Sequence, residues 1–212
     1  MRIVWILGLF LIWSVALPLS ANAPANEAFF PTQQGTTWVY KTTQKEKKTV
    51  FDMNVAIEGP WKGTKGSGMI MTQKDKRGTM RQFLSENEKG VFIDKLALSK
   101  ALTPEVNTRF TPAVPLLIFP LTPGTKVHWE GRLKVAWVDK PIIFDGEVTG
   151  WEDIEVPAGK YHCMKLHYHE KRGEDVIDEN AWYAEGVGQV KYEGGQYIKE
   201  LKSYSDGSRG RS

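Results

Sequence analysis

The 212-residue sequence contains a single cysteine, Cys163, which excludes any internal disulfide and any multi-cysteine zinc or iron–sulfur site. Charge of one sign is also scarce. A formal net charge of +3 is too near neutrality to argue for nucleic acid, and no nucleic-acid partner is expected. After residue 23 no apolar run reaches the ~20 residues that a spanning helix needs, so the mature chain is expected to lack a transmembrane segment. Catalytic signatures are missing as well. Gly66-Ser67-Gly68 lacks the nucleophile-elbow spacing, Gly59 to Lys65 lacks phosphate-loop spacing, and Gly186-Val187-Gly188 is not followed by a helix. No cofactor and no catalytic residue can be named, and the residues argue against an enzyme more than for one.

What is present is a globular composition, 41% hydrophobic, 11% aromatic and 25% charged, enough for a sizeable core. The N-terminus has the three parts of a secretory signal peptide. Arg2 is basic, Ile3 to Val15 is apolar, and Ala21-Asn22-Ala23 follows Pro18 with small residues. Cleavage after Ala23 is expected, and no cysteine near it could take a lipid, so the chain is expected to be periplasmic or secreted and not a lipoprotein. Residues 24–204 are expected to form one domain, with a polar, glycine-rich, disordered tail at 205–212.

Charge is uneven along the chain. Residues 24–100 carry 13 Lys/Arg against 8 Asp/Glu, and residues 101–212 carry 14 against 17. Lys45-Glu46-Lys47-Lys48 and Lys74-Asp75-Lys76-Arg77 are either a basic patch for an anionic surface or solvated hairpin turns, the second being the simpler account.

Apolar residues recur with period two. Phe51, Met53, Val55 and Ile57 alternate with polar neighbours, and so do Val127, Trp129, Leu133, Val135 and Trp137. Successive strand side chains point to opposite faces, whereas a 3.6-residue period would scatter these residues around a helix. Turn residues punctuate the runs, and about ten successive strands follow. The class is mainly β, a curved antiparallel sheet forming an open barrel or half-barrel. One short helix is expected over Asp94–Leu102, where good helix formers precede Pro104. Thr111 to Pro123, with prolines at 112, 115, 120 and 123, is expected to be an extended crossing segment.

Four phrases carry a family likeness: Phe30-Pro31 with Gly35-Thr36-Thr37-Trp38, Phe119-Pro120-Leu121 with Gly124-Thr125 and Trp129, Val156-Pro157-Ala158-Gly159-Lys160-Tyr161, and Trp182-Tyr183-Ala184-Glu185-Gly186-Val187-Gly188. In this order they resemble the TapB-like group of exported bacterial proteins. The resemblance implies a strongly curved antiparallel sheet, similar in outline to lipoprotein-carrier half-barrels that shelter an apolar groove. It supplies no catalytic residues.

Two binding chemistries stand out. Trp61, Trp129, Trp137, Trp151 and Trp182 would line an apolar groove for a lipid or other apolar ligand if the concave face is open. If the helix and the proline segment plug that face, the same residues are core, and both readings stay open. His167 and His169 share a strand face ~7 Å apart, a spacing that could ligate zinc or copper if another strand adds a ligand. No third ligand is identifiable, so two solvated histidines are the default. Cys163 is expected to be an inert, partly buried thiol. The leading reading is a non-enzymatic exported envelope protein that binds an apolar ligand or a protein partner on its curved sheet. The alternatives are a scaffold that docks to an envelope protein by a strand edge, and a metal-dependent enzyme.

Overall fold

The computed structural model describes residues 26–62 and 67–207. The leader expected at 1–23 and its expected cleavage site lie outside the described residues, as do most of the glycine-rich 63–68 segment and the tail from 208. A short 3-10 turn, Asn26–Phe29, precedes twelve strands. They are β1 (Thr37–Gln44), β2 (Thr49–Lys62), β3 (Ser67–Asp75), β4 (Gly78–Asn87), β5 (Gly90–Ser99), β6 (Val106–Ile118), β7 (Lys126–Val135), β8 (Val138–Val156), β9 (Gly159–Arg172), β10 (Asp175–Ala184), β11 (Gly188–Gly194) and β12 (Tyr197–Ser205).

Every strand pairs with its sequence neighbours in antiparallel register, and β1 pairs with both β2 and β12, so the meander closes into a barrel. This corrects the open or half-barrel expectation while keeping the class. Thr37 faces Ala56 on one side and Ser205 on the other. Closure removes the free edges that an open sheet would expose.

The alternation resolves into an apolar inside and a charged outside. On β2, Phe51, Met53, Val55 and Ile57 are buried while Asp52, Asn54 and Glu58 are exposed. On β7 to β10 the outer face carries His128, Asp145, His169 and Asp178 in register across four strands. This polarity is the inverse of a membrane-spanning barrel, which turns an apolar band outward.

Inward glycines leave room for large rings. A Cβ at Gly131 would stand 2.4 Å from the Trp129 ring and 2.9 Å from the Thr111 carbonyl oxygen. A Cβ at Gly146 would meet the Tyr168 ring at 2.9 Å. Trp129 donates to the Ala113 carbonyl at 3.1 Å, and Tyr168 donates to the Leu116 carbonyl at 3.0 Å.

Those two carbonyls mark a seam. β6 pairs with β5 along most of its length, but with β7 only from Thr108 to Thr111. Beyond it Pro112 and Pro115 have no N–H to offer a neighbour, and the Trp129 and Tyr168 side chains satisfy carbonyls that a ladder would have used. The proline-rich segment is therefore a wall strand up to Ile118, not a crossing segment. Pro112 lies among residues 110–113, which the β5 register also skips, whereas Pro115 keeps its place opposite Phe92.

The helix expected at 94–102 is strand β5 and its turn. Asp94 is skipped in both ladders, since Leu84 faces Ile93 and Phe83 faces Lys95 on one side, while Ile93 faces Val114 and Lys95 faces Arg109 on the other. This bulge breaks the two-residue period that would have identified the strand, and pairing on both sides overrides a modest helix propensity.

At the end that holds the termini, Phe29 and Phe30 are buried and Gly186 donates to the Ala28 carbonyl at 2.8 Å. The β8–β9 turn leans in through Ala158, which donates to the Leu201 carbonyl at 2.9 Å. β12 runs to Ser205, one residue past the expected domain end, and Asp206 and Gly207 pack on the Gln34–Thr36 turn.

Gly131→Ala should lower unfolding free energy by about 1–3 kcal/mol in urea titrations, because the added methyl displaces a buried indole. Adding Trp129→Leu should recover part of the loss. Full stability in Gly131→Ala alone would contradict this packing.

Candidate functional site

An eight-stranded barrel is about filled by its own side chains, and sixteen to eighteen strands leave a channel. Twelve strands fall between, and the lumen keeps a cavity of about 210 Å³. That is roughly seven water volumes, and below the 300–1,000 Å³ usual for drug-sized ligands.

About half of the cavity lining is apolar and half polar. Phe30, Trp38, Val55, Met71 and Leu116 make up the apolar half. Gln73, Gln82, Glu179, Gln189, Tyr192 and Lys199 make up the polar half, and the two interleave, since Val55 faces Gln73 and Met71 faces Gln82. The aromatic rings are fixed by their polar ends. Trp38 Nε1 donates to the Val187 carbonyl at 2.6 Å, and the Tyr40 hydroxyl donates to the Gln189 carbonyl at 2.7 Å. Gln189 Nε2 donates to the Tyr183 hydroxyl at 3.2 Å.

The charged groups of the lumen are held apart. Glu179 accepts from the Tyr192 hydroxyl at 2.6 Å, and Gly194 beside them has no Cβ to obstruct that contact. Lys199 Nζ lies 4.8 Å from the Tyr192 ring centroid and forms no hydrogen bond or ion pair among the described residues. Burial pushes the Glu179 carboxyl above its ordinary range, against the hydrogen bond from Tyr192. Burial pushes the Lys199 ammonium down, partly opposed by Glu179. The Tyr183 and Tyr192 hydroxyls are raised, burial again being the main cause. Gln82 is only 7% exposed and its Oε1 has no hydrogen-bond partner. A buried amide oxygen left unpaired in a cavity is costly unless something else meets it.

Two arginine–carboxylate pairs stand near the end opposite the termini. Arg77 stacks 4.3 Å from the Phe51 centroid, donates to the Tyr197 hydroxyl at 2.8 Å and pairs with Asp75. Arg172 and Glu170 form a two-pronged pair beside them, with Nη2 to Oε2 at 2.8 Å.

The five tryptophans singled out in the sequence do not meet in one groove. Trp129 is core, folded over Gly131. Trp61 lies edge-on to Phe83 at 5.5 Å, on the wall face opposite the lumen residues Met69 and Met71. Trp182 is also on the outer face. Lys165 and Lys191 lie 5.3 and 5.0 Å from its ring, and its Nε1 donates to Glu152 at 2.8 Å. Bonds from Lys165 and Trp182 hold the Glu152 carboxyl below its ordinary range. Trp151 stacks on His162 at 4.6 Å and touches Phe29 at 6.1 Å. Trp137 is a turn residue. None of the five lines the lumen cavity, where the indole is that of Trp38.

His167 and His169 stand on the outer wall. His169 Nδ1 is 3.0 Å from Asp178 Oδ1, and His167 is 3.3 Å from Asn180 Oδ1 and 3.5 Å from Asp178. Among the described residues no group of three or more His, Cys, Asp or Glu is placed to hold a metal ion. Cys163 is fully buried, and burial pushes its thiol up to about 12.

Comparison with known proteins adds the fold's relatives. Residues 137–206, about a third of the chain, match the DUF3108-like family model. The matched part includes the Val156–Tyr161 and Trp182–Gly188 phrases and supplies Glu179, Gln189, Tyr192 and Lys199 of the polar half. The TapB-like resemblance rests on the quoted phrases alone. A protein from Bacteroides fragilis, provisionally described as exported and with YmcC-like fold, superposes with TM-score 0.52 at 17% identity, covering 84% of this chain and 98% of that one. A protein from Parabacteroides distasonis, provisionally described as a lipoprotein, superposes with TM-score 0.50 at 16% identity and the same coverages, 84% and 98%. At these identities the likeness is one of fold. None of the curated proteins matches the chain.

Two titrations follow. A carboxyl with a raised folded pKa binds its proton better folded than unfolded. Its contribution to stability therefore falls as pH rises from the ordinary 4.5 through the folded value. Glu179→Gln should lose less stability than the parent across that window, and equal pH slopes in urea titrations would exclude a lumenal titration. Cys163 should resist iodoacetamide at pH 8 until denaturant is added, and rapid labelling of the folded protein would contradict its burial.

Proposed function

We propose that this chain is an exported, non-enzymatic envelope protein whose barrel lumen holds a small molecule with an apolar body and a hydrogen-bonding head. The observation that carries this reading is the cavity's mixed lining, with the Gln82 Oε1 unpaired among the described residues and the Lys199 ammonium set among aromatic and aliphatic side chains. A core made only for stability would replace an unpaired amide and a charged amine with hydrocarbon. Size sets the ligand class. A lumen of about 210 Å³ takes a short-chain amphiphile or a compact aromatic and excludes a whole diacyl lipid.

Export is supported by the leader-like residues 1–23 and by the provisional descriptions of the two fold relatives as exported protein and lipoprotein. The periplasm is the compartment we assign. A strand-edge scaffold has little to work with, because closure leaves only the β6–β7 seam, where Pro112 and Pro115 withhold donors.

The test is native mass spectrometry of the protein purified from cells, before and after exposure to envelope lipid extract and to medium-chain fatty acids. One small molecule retained per chain is expected. Met71→Trp, which fills the apolar half, should abolish retention, and Lys199→Met should weaken it for acids. No adduct on the parent, or equal adducts on Met71→Trp, would remove the lumen from consideration.

A further inference from the structure

The barrel end opposite the termini gathers two features that the lumen does not use. It consists of the turns after β1, β3, β5, β7, β9 and β11. Over residues 45–48, 74–77, 100–105, 134–140, 171–175 and 195–196 these carry eleven Lys/Arg against six Asp/Glu. The described turns and strand ends at the other end, over 86–89, 119–126, 155–160 and 185–187, carry three against four. Several of the six acids are neutralised locally, Asp75 by Arg77, Glu105 by Arg81 and Asp139 by Arg132. Lys45, Lys47, Lys48, Lys74 and Lys100 make no ion pair among the described residues and are exposed.

The same rim carries the large apolar side chains that the fold fails to bury. Leu102 is fully exposed, Trp137 is 92% exposed, and Val50, Leu98, Val106 and Val176 are exposed around them. Of the exposed large hydrophobics among the described residues, only Trp151 lies elsewhere. Leu98 faces Val106 across β5 and β6, and Thr108 faces Val135 across β6 and β7. Continuing that register by two residues sets Val106 level with Trp137, so adjacent hairpins hold these residues side by side.

Turn chemistry does not ask for them. Leu102 has φ +64°, a left-handed conformation that favours Gly, Asn or Asp and strains a branched side chain. Trp137 follows Ala136, φ +50°, as the second residue of a two-residue hairpin turn, a tip position that small polar residues usually occupy. Leu102 works against its backbone preference, and neither Leu102 nor Trp137 buries its side chain within the chain, a pattern expected where the residue meets something outside it.

We propose that this rim docks on an anionic lipid bilayer, with the Leu102 and Trp137 tips entering the interfacial region and the surrounding lysines against the headgroups. Charge complementarity commits the surface to this occupant. Each lysine near an anionic membrane contributes about fivefold in affinity, while one or two inserted apolar tips anchor weakly on their own, so the two features act together. Trp suits the headgroup level, where one end of its ring is apolar and the other wet. The docked orientation stands the barrel axis upright on the membrane, with the Leu102 and Trp137 tips nearest the lipid.

The experiment is vesicle flotation of the protein in its naturally processed form. Vesicles of phosphatidylethanolamine with phosphatidylglycerol are compared with vesicles of phosphatidylcholine alone. Binding to the anionic vesicles is expected, falling steeply with added salt, and little binding to the neutral ones. Trp137→Ala and Leu102→Asn should each weaken it by roughly tenfold. A Lys45, Lys47, Lys48 triple glutamate variant should abolish it, and Lys160→Ala at the far end should leave it unchanged. Leu102→Asn relieves a strained turn, so its melting temperature should hold or rise, which separates lost docking from lost folding. Any contribution of the N-terminal apolar run is common to all these proteins. Absence of parent binding to anionic vesicles, or binding that all rim variants retain, would overturn the proposal. So would a parent that ignores lipid and instead captures an acidic protein through this rim. These readouts are independent of what the lumen holds.

Discussion

Everything in this structure depends on β1 pairing on both sides. Thr37 to Gln44 holds β2 with one edge and β12 with the other, which turns a twelve-strand meander into a ring. Once the ring is fixed, its circumference fixes the lumen, and a lumen of that girth is too wide to be packed by aliphatic side chains alone. The chain answers with rings: Trp38, Tyr40, Phe51, Trp129, Phe144, Tyr168 and Tyr183 all point inward or pack in the core. Large rings need neighbours without side chains, and Gly131, Gly146 and Gly194 stand where a Cβ would strike one. What the rings do not fill is the cavity.

The strand pattern was legible wherever the period of two survived. Phe51 to Ile57 reads as a half-buried strand from sequence and is one. The pattern failed at Asp94, because a bulge residue shifts the parity and leaves Leu96-Ala97-Leu98 looking helical. It failed again at Pro112 to Ile118. Proline reports a missing donor but not which side lacks it, and here Pro112 sits where both ladders break while Pro115 loses only its β7 side. Closure itself was not legible. Alternation says that a strand has two faces and is silent on whether the first strand finds the last.

The site was less legible than the fold, for a related reason. Tryptophan count marks apolar area without saying which wall face it lies on. Trp61 and Trp182 are sheltered on the outside, the latter by Lys165 and Lys191 laid across its ring. The available signal was the opposite one: a lysine at the parity of apolar neighbours. Lys199 shares its face with Tyr197 and Leu201, and Glu179 shares one with Ala181. Polar residues on the core side of a strand mark either a satisfied network or a site. The rim residues were visible too, but as turns dressed in lysine. Only the register places Leu102 and Trp137 at one end with the basic turns.

Joining strands that begin at residue 37 and end at residue 205 means that the wall is completed by the last of its twelve strands to be synthesised. Eleven neighbouring hairpin contacts can zip locally and early, while the last seam joins positions with nearly the whole polypeptide looped between them, at the greatest entropic cost. Until the C-terminal strand has emerged from ribosome or translocation pore, the first strand presents a bare flank. A nascent chain of this type therefore has a window of stickiness that closes only with β12, and truncations within that strand leave an edge that invites another copy.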